Sequence, residues 1–475
     1  MMLQRFHQLR RWAGVDRAVF FSNAAQMLRL VTGPITMGLV LRYLTPEIQG
    51  YFYAFAGVVA MQVFLEMGFS QNILQFASHE FAELRLTPAG ILEGNPVARS
   101  RLISLGRLAF GYYAIAAGIF FVAIGIGGHI FFSHAGQHGV TWQGAWWLVA
   151  AAAAGSLAIN PARALLDGCN QVAVTSKFGF WGALAGFIVN AVALIAGAGI
   201  YATAIGAVCS VLLSAAYFGL RWRKFFVQFL TPPTHGHVSW RQEIWPFQWR
   251  IAVSWMSYYF ISDIINPIAF YFCGAVEAGR LGMSLQLVRM IANVSLTWIY
   301  TKLPRFGMLI AARSWTELDA LWRRCSLQAV VICLLGMLAF LAAIPIAGQF
   351  VPRIPARLAP LDVTAWLAGY MILQVMVNAF ASELRAHKRE PFMWFSVAGA
   401  ILTTGLILPL TNFFGIYGEA VGMAAAGAGL IVPAWSIYRI KRLEYRNDAD
   451  TRHEPSPSAD QPAEPGLATG GISNG

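Results

Sequence analysis

Apolar residues fill twelve long stretches of the chain, separated by short polar segments. Each stretch approaches the ~20 residues that a helix needs to cross ~30 Å of hydrocarbon. Gly and Pro interrupt some of them, which membrane helices tolerate. The pattern therefore predicts an all-α, polytopic membrane protein with spans at 18–41, 51–76, 102–127, 145–166, 173–195, 201–220, 247–273, 281–300, 326–350, 363–384, 391–410 and 419–440.

Positive charge alternates between the gaps that separate these spans. Of the 34 Lys and Arg, 25 lie in the N-terminal arm, the even-numbered gaps and the C-terminal segment. The odd-numbered gaps hold only Arg42, Arg353 and Arg357. Positive residues close to a span resist translocation, so loops that retain them are cytoplasmic. The alternation predicts a polytopic protein with both termini in the cytoplasm, and we expect it to lie in the bacterial inner membrane.

The composition is typical of a membrane protein, and the charge indicates lipid as a partner. Charged residues make up 12% of the chain, against about 25% in soluble domains. The net charge of +12 indicates topological anchors that touch anionic lipid, rather than a nucleic-acid surface. Residues 1–17 predict a basic cytoplasmic arm, and 443–475 a disordered cytoplasmic tail. The five cysteines show no metal-ligand spacing, so neither a metal site nor another cofactor is expected.

Two sequence matches predict an internal duplication. Residues 199–207 match 415–423 at five of nine positions, at an offset of 216. Residues 46–50 match 276–279 more weakly, at an offset of about 230. Both matches fall in predicted outer turns. We therefore expect a six-helix half at 18–222, a cytoplasmic linker at 223–246 and a second half at 247–442. Such parallel halves enclose a central cavity that opens to alternate sides.

The candidate site residues are polar groups inside the first two predicted spans of each half. Charges there are costly and usually face a cavity or each other. Helical spacing places them on shared faces, and Arg29 and Arg289 fall near mid-depth. The predicted substrate-binding residues are Asn23, Gln26, Arg29, Arg250, Gln286, Arg289 and Asn293, and the predicted coupling or gating residues are Glu66 and Asp263.

Two interpretations of these residues remain open at this point. In the first, they form a cationic cavity for an anionic, hydroxyl-rich substrate, because the planar Arg fork suits phosphate and amides suit sugar hydroxyls. In the second, Arg29 with Glu66 and Arg250 with Asp263 are ion pairs that hold the helices together. In the first interpretation, a proton or a sodium ion would drive transport, and the sequence does not distinguish between these two ions.

Motifs in the first two spans carry a family resemblance. Residues 41–51 read LRYLTPEIQGY and residues 64–70 read FLEMGFS. Together they resemble the N-terminal signature of polysaccharide biosynthesis membrane proteins, the Wzx-type oligosaccharide flippases of the multidrug/oligosaccharidyl-lipid/polysaccharide (MOP) exporter superfamily. The resemblance implies a substrate linked to undecaprenyl pyrophosphate, which moves from the inner to the outer leaflet, and polysaccharide assembly proteins as partners. It also implies that cavity arginines meet the pyrophosphate or acidic sugars.

Alternative functions follow from the same pattern. A multidrug or cation antiporter of the same superfamily would need an acidic or aromatic cavity, whereas the midplane carries both Arg and acidic residues. A membrane glycosyltransferase or polymer ligase would need a substantial outer loop for its catalytic residues, and the predicted outer loops are short. There is also no GxxxxGK[ST] phosphate loop. The sequence thus favours a transporter that is not itself an enzyme.

Overall fold

The computed structural model describes residues 17–136, 139–387 and 391–451. Side chains of some helical residues, Asn23 and Arg29 among them, lie outside this description. Within it, ten helical stretches are long and apolar enough to cross a membrane. Two of the ten are divided by glycines with non-helical backbone angles, Gly274 and Gly415. The ten stretches therefore account for the twelve predicted spans.

The helices follow the predicted order, and we number them along the chain. The first half contains α1 (Arg17–Tyr43), α2 (Pro46–Val59), α3 (Val63–Glu66), α4 (Phe69–Phe81), α5 (Pro96–Ala135), α6 (Gln143–Gly168), α7 (Val172–Ile195) and α8 (Tyr201–Arg221). After α9 (Arg223–Val227), the second half contains α10 (Trp245–Ser262), α11 (Ile265–Tyr300), α12 (Leu303–Ala311), α13 (Trp315–Phe350), α14 (Arg353–Arg357), α15 (Leu361–Ala386) and α16 (Met393–Thr451).

The structure adds two features to the prediction. A small antiparallel hairpin, β1 (Leu84–Leu86) and β2 (Leu92–Gly94), joins α4 to α5. The last helix continues to Thr451, so residues 443–451 are helical, although the predicted disordered tail begins at 443. These turns are held by contacts of α16 with α13 and α15, which the local composition does not reveal. The predicted arm at 1–16 and residues 452–475 lie outside the described residues.

Equivalent glycines support the duplicated architecture. Gly199 and Gly415 are 216 residues apart and open the two matched sequences. Both have positive φ, 55° and 61°. This backbone region is open to glycine at little cost and is strained for other residues. Both halves therefore place a glycine with positive φ at the matched position before their last span.

The halves meet where α2 packs closely against α11, just after Gly274. A Cβ atom added to Gly50 would lie 1.9 Å from the carbonyl oxygen of Ala275, and one added to Gly279 would lie 2.9 Å from the Gly50 nitrogen. Only glycine permits such a close backbone approach. Gly50 and Gly279 also correspond in the internal sequence match, so equivalent residues from the two halves pack against each other.

Gln49 ties the halves together beside this crossing. Its side chain is 1% exposed, and its Nε2 donates to the carbonyl oxygens of Gly279 at 2.8 Å and Arg357 at 3.1 Å. The Arg357 guanidinium donates to Gln49 Oε1 at 3.2 Å and also to the Leu44 carbonyl. We call this end, which the charge pattern predicts to be outer, the Gln49 end. Main-chain and side-chain hydrogen bonds thus join the halves there.

A different contact joins the segment before α10 to the first half at the opposite end. Arg101, near the start of α5, forms ion pairs at 2.7 Å with Glu80 and with Glu243. The Ser239 backbone N–H donates to Glu243 at 2.9 Å. That hydrogen bond, together with Arg101, lowers the pKa of the Glu243 carboxyl. The segment leading into α10 is therefore anchored to α4 and α5.

An ion network at the same end fixes the long extension of α16. Glu383, at the end of α15, is 0% exposed and accepts a hydrogen bond from Arg442 at 2.9 Å. Asp319, on α13, accepts hydrogen bonds from both Arg442 and Arg446. The Tyr438 hydroxyl donates to Glu383 as well. Three helices are thus cross-linked by charged groups that lie largely out of water.

We expect Asp319→Asn to lower the apparent melting temperature of the purified protein by several degrees. The change removes the negative charge that Arg442 and Arg446 share, and a hydrogen bond between charged groups contributes about 1.5–3 kcal/mol. Glu444→Gln is the matched control, because Glu444 forms an exposed pair with Lys441 on the same helix and such pairs contribute ~0–1 kcal/mol. Equal melting temperatures for the two variants would contradict the assigned role.

Candidate functional site

The candidate site forms where the seventh predicted span breaks. Helix α10 ends at Ser262, and α11 begins at Ile265. Pro267 follows closely, and a proline has no N–H to donate to the carbonyl four residues earlier. The carbonyl of Asp263 therefore lacks its helical partner. A helix end also leaves the carbonyls of its last turn without intrahelical donors, so this break exposes several acceptors at mid-span.

Side chains from three other helices satisfy those carbonyls. Arg289 of α11 donates to the Ser262 carbonyl. The Tyr370 hydroxyl of α15 lies 3.5 Å from the Ile261 carbonyl, and Thr404 Oγ1 of α16 lies 3.3 Å from the Phe260 carbonyl. The break is thus held open by its surroundings, and it fixes the position of the Arg289 guanidinium.

Arg289 is only partly neutralised. Its Nη1 lies 3.9 Å from Asp263 Oδ1, and the two side chains are 29% and 32% exposed. That separation is an ion pair without a short hydrogen bond, because such bonds between charged groups span about 2.7–2.9 Å. The guanidinium therefore keeps donors that can face a ligand.

Arg289 lines a cavity of about 230 Å³ between α10, α11, α15 and α16. The cavity is also lined by Arg385, three amide side chains and four hydroxyl groups. Its polar lining residues are Tyr258, Ser262, Arg289, Asn293, Tyr370, Gln374, Asn378, Arg385 and Ser396. Ligand pockets for drug-sized molecules are about 300–1,000 Å³. The cavity is therefore suited to a small anionic or hydroxylated group of a larger molecule.

The sequence analysis missed the polar stripe of α15. Tyr370, Gln374 and Asn378 recur every four residues, and a helix brings such positions onto one face. Gln374 Nε2 donates to the Tyr370 hydroxyl, and Asn378 Nδ2 donates to the Gln374 carbonyl, both at 2.8 Å. The four-residue spacing could have revealed this stripe, but only the first two spans of each half were singled out.

The predicted residues of the second half separate into two groups. Arg289 and Asn293 line the cavity, and Asp263 pairs with Arg289. Gln286 is exposed and does not belong to the lining. Arg250 is exposed too, and its guanidinium lies 5.6 Å from the centre of the Trp249 ring.

The alternative pairing of Arg250 with Asp263 is wrong. Thirteen residues of helix separate them, about 20 Å at 1.5 Å per residue, and the ion pair of Asp263 is with Arg289. Arg250 also stands outside the cavity because it lies at the opposite end of α10 from the break. Its predicted place in the substrate site is therefore not supported by the structure.

The predicted residues of the first half are only partly described. The side chains of Asn23 and Arg29 lie outside the described part, so the proposed pairing of Arg29 with Glu66 stays a prediction. Gln26 is exposed on α1. Glu66 accepts a hydrogen bond from Ser70 at 2.8 Å.

Glu66 also stands at a helix break. The next two residues, Met67 and Gly68, have φ of 47° and 66° and separate α3 from α4. The carboxyl groups of Glu66 and Asp263, both predicted to act in coupling or gating, therefore each lie beside an interrupted span.

A second cavity of about 230 Å³ occupies the equivalent place in the first half, between α6, α7 and α8. Its lining residues Asn160, Phe178 and Gly182 correspond to Asn378, Phe395 and Gly399 of the other cavity, at offsets of 217 or 218. Its charge differs, since its only lining cation among the described residues, Arg163, lies 3.9 Å from Asp167. The cavity of the second half has two lining arginines instead.

No metal site is indicated within 17–136, 139–387 and 391–451. No group of three or more His, Cys, Asp or Glu residues stands together in these ranges in a way that could hold a metal ion. The five cysteines are free thiols. The cavity lining itself supplies arginines, amides and hydroxyl groups.

Solved structures share this architecture. No protein-family model and no curated protein sequence matches the chain. An inward-facing MATE-family multidrug resistance transporter of the MOP superfamily matches 91% of this chain and 96% of its own, with TM-score 0.59 and 14% identity. The lipid II flippase MurJ, in an inward closed conformation, matches 91% of both chains, with TM-score 0.59 and 12% identity.

A third structure extends the comparison. A mutant of the Vibrio cholerae MATE transporter VcmN matches 91% of this chain and 97% of its own, with TM-score 0.54 and 12% identity. At identities of this size, the structural match shows the fold alone. The chain is thus a multi-pass membrane protein with the fold that MATE transporters and MurJ share.

Proposed function

We propose that the protein is a flippase that moves a polyprenyl-pyrophosphate-linked oligosaccharide from the inner to the outer leaflet by alternating access. The observation that carries this proposal is the cavity that Arg289 lines at a broken span. It offers a guanidinium fork for phosphate and amides for sugar hydroxyls. A fold shared with a lipid flippase and with drug transporters supports a transport role.

The contacts of Arg289 suggest how binding and movement would be linked. The guanidinium is held by the Ser262 carbonyl and by a long pair to Asp263. An arriving pyrophosphate would compete with Asp263 for the same donors. Release of Asp263 would free a carboxylate for a proton or a sodium ion, and this exchange is our proposed coupling step.

The rival proposal, a multidrug or cation antiporter, fits the fold equally well. A cation needs carboxylates or aromatic faces in its site. Among the described residues, the cavity lining contains two arginines and no carboxylate, and Asp263, outside the lining, offsets the charge of Arg289. The charge of the cavity therefore favours an anionic substrate.

We place the protein in the bacterial inner membrane with both termini in the cytoplasm. The charge alternation along the sequence supports this orientation. The Gln49 end, where hydrogen bonds join the halves, would then be the outer end. In this arrangement the substrate would enter from the cytoplasmic side and leave at the Gln49 end.

Transport into liposomes tests the proposal directly. We expect proteoliposomes that contain the full chain to move a fluorescent undecaprenyl-pyrophosphate oligosaccharide between leaflets, measured by loss of fluorescence when a membrane-impermeant quencher reaches only the outer leaflet. Ethidium flux in the same proteoliposomes should stay at the level of empty liposomes. Ethidium transport without movement of the lipid-linked glycan would assign the protein to the antiporters.

A further inference from the structure

A groove outside the two cavities described above lies between α5 and the segment that follows α8. We call it the α9 groove. Its volume is about 460 Å³, and it is lined by Arg107, Phe110, Gly219, Arg223, Phe226, Val227, Phe229 and Leu230. None of these residues lines the cavity of Arg289 or its counterpart in the first half. The groove therefore needs its own explanation.

The groove forms because the chain turns sharply after α8. Helix α8 ends at Arg221, and α9 starts two residues later. One side of this short segment is anchored: Phe225 is 0% and Phe229 2% exposed. The other side presents apolar residues outward, with Val227 at 49% and Leu230 at 76% exposure. A segment with one buried and one exposed apolar side is typical of a helix at a membrane interface.

Gly106 allows the anchored ring to lie close to α5. A Cβ at this position would fall 2.2 Å from a ring carbon of Phe229. The Gln228 side chain also bonds the hairpin, donating to the Gly90 carbonyl and accepting from the Leu92 N–H. The floor of the groove is thus fixed by α5 on one side and by the hairpin on the other.

Two arginines stand over this apolar floor. Arg107 donates to the Leu230 carbonyl at 2.9 Å. Within the described ranges, neither Arg107 nor Arg223 has an acidic partner. Both lie close to the predicted cytoplasmic interface, where Arg221 and Lys224 add further positive charge. Positive charge above an apolar channel at this depth complements a lipid phosphate above its acyl chains.

We propose that the α9 groove is a binding site for an acidic phospholipid of the inner leaflet. Its phosphate would lie between Arg107 and Arg223, and an acyl chain would lie along Phe110, Phe226 and Val227. The two guanidiniums make an anionic headgroup the matching occupant, since a zwitterionic lipid would bring its own positive charge. The bound lipid would hold α9 against α5, at the joint between the first half and the predicted linker.

Native mass spectrometry of the full chain in detergent tests this proposal without any transport assay. The probes are dioleoylphosphatidylglycerol and dioleoylphosphatidylcholine. We expect the unmodified protein to retain phosphatidylglycerol about tenfold more tightly, because two guanidiniums attract its net negative charge, whereas the choline of phosphatidylcholine brings a positive charge close to them. The substitution Arg223→Gln, together with Arg107→Gln, should reduce this retention to the level of phosphatidylcholine.

A matched control removes two charges elsewhere. Arg305→Gln with Arg324→Gln lies in the second half, on the same predicted side of the membrane, and both residues are exposed. This control should keep the preference for phosphatidylglycerol. An equal loss in both double variants would show a general surface effect and would overturn the proposal, as would equal retention of both lipids by the unmodified protein.

Two single variants separate a loss of lipid binding from a failure of the double variant to fold. Arg223→Gln leaves the bond from Arg107 to Leu230 intact and should by itself lower phosphatidylglycerol retention several-fold. Gly219→Leu adds an apolar side chain to the groove lining and keeps both arginines, and no atom lies within 4 Å of a Cβ built at Gly219. This variant should lower the retention of dioleoylphosphatidylglycerol more than the retention of dioctanoylphosphatidylglycerol, whose acyl chains are shorter. If neither single variant changes retention, the lipid binds elsewhere and the assignment is wrong.

Discussion

Replacing Gly50 with alanine is expected to remove most of the folded protein from the membrane. The added Cβ would lie 1.9 Å from the carbonyl oxygen of Ala275 and 2.7 Å from its Cα. Both contacts are with backbone, so no side chain can move away to relieve them. Overpacking a core costs about 1–3 kcal/mol or more, and here two helices must separate. Fluorescence-detected size-exclusion chromatography of membrane extracts measures the folded fraction.

Gly118→Ala is the matched control for this change. Gly118 is also in a membrane helix, and no atom lies within 4 Å of a Cβ built there. Alanine favours a helix over glycine by about 0.8–1 kcal/mol, so this variant should be at least as abundant as the unmodified protein. A folded, active Gly50→Ala protein would show that α2 and α11 do not cross as closely as described, and that this junction does not hold the halves together.

The spans were predictable because each follows from local composition. A stretch of apolar residues has one stable arrangement in hydrocarbon, which is a helix with its backbone hydrogen bonds satisfied internally. The duplication was predictable too, since the turns at Gly199 and Gly415 need the same residue for the same backbone angle. The structure differs from the prediction between the seventh and eighth spans. They are joined within one helix, α11, in which Gly274 has non-helical backbone angles, and no loop separates them.

The partners of the buried charges could not be predicted in the same way. Asp263 pairs with Arg289, not Arg250, because Asp263 stands at the break between α10 and α11, whereas Arg250 lies near the other end of α10. Spacing along the sequence predicts which residues of one helix share a face. Which residues of two different helices meet depends on how the helices pack, and the sequence alone does not reveal that packing. The network of Asp319 with Arg442 and Arg446 joins positions more than 120 residues apart, and it escaped prediction for the same reason.

Substitution of Arg289 should have the largest effect on transport of any single change in the cavity. Arg289→Lys keeps the positive charge but loses the fork that can hold the Ser262 carbonyl and a phosphate together. Loss of one hydrogen bond between charged groups costs about 1.5–3 kcal/mol, so transport in the liposome assay should fall about tenfold or more. Arg289→Ala should abolish it. Arg250→Ala is the control, since Arg250 is exposed outside the cavity, and it should retain activity.

Arg289 also contacts Asp263, so a structural role has to be separated from a role in binding. Arg289→Ala leaves the Asp263 carboxylate without its partner and should lower membrane abundance. Asp263→Ala in the same chain removes that unpaired charge. The double variant should regain abundance, because the effects of substitutions at two residues in contact are not additive. If Arg289 binds substrate, the double variant folds and still does not transport. Recovery of both abundance and transport would show that Arg289 is only a structural partner of Asp263. The pyrophosphate would then bind at a different cationic residue.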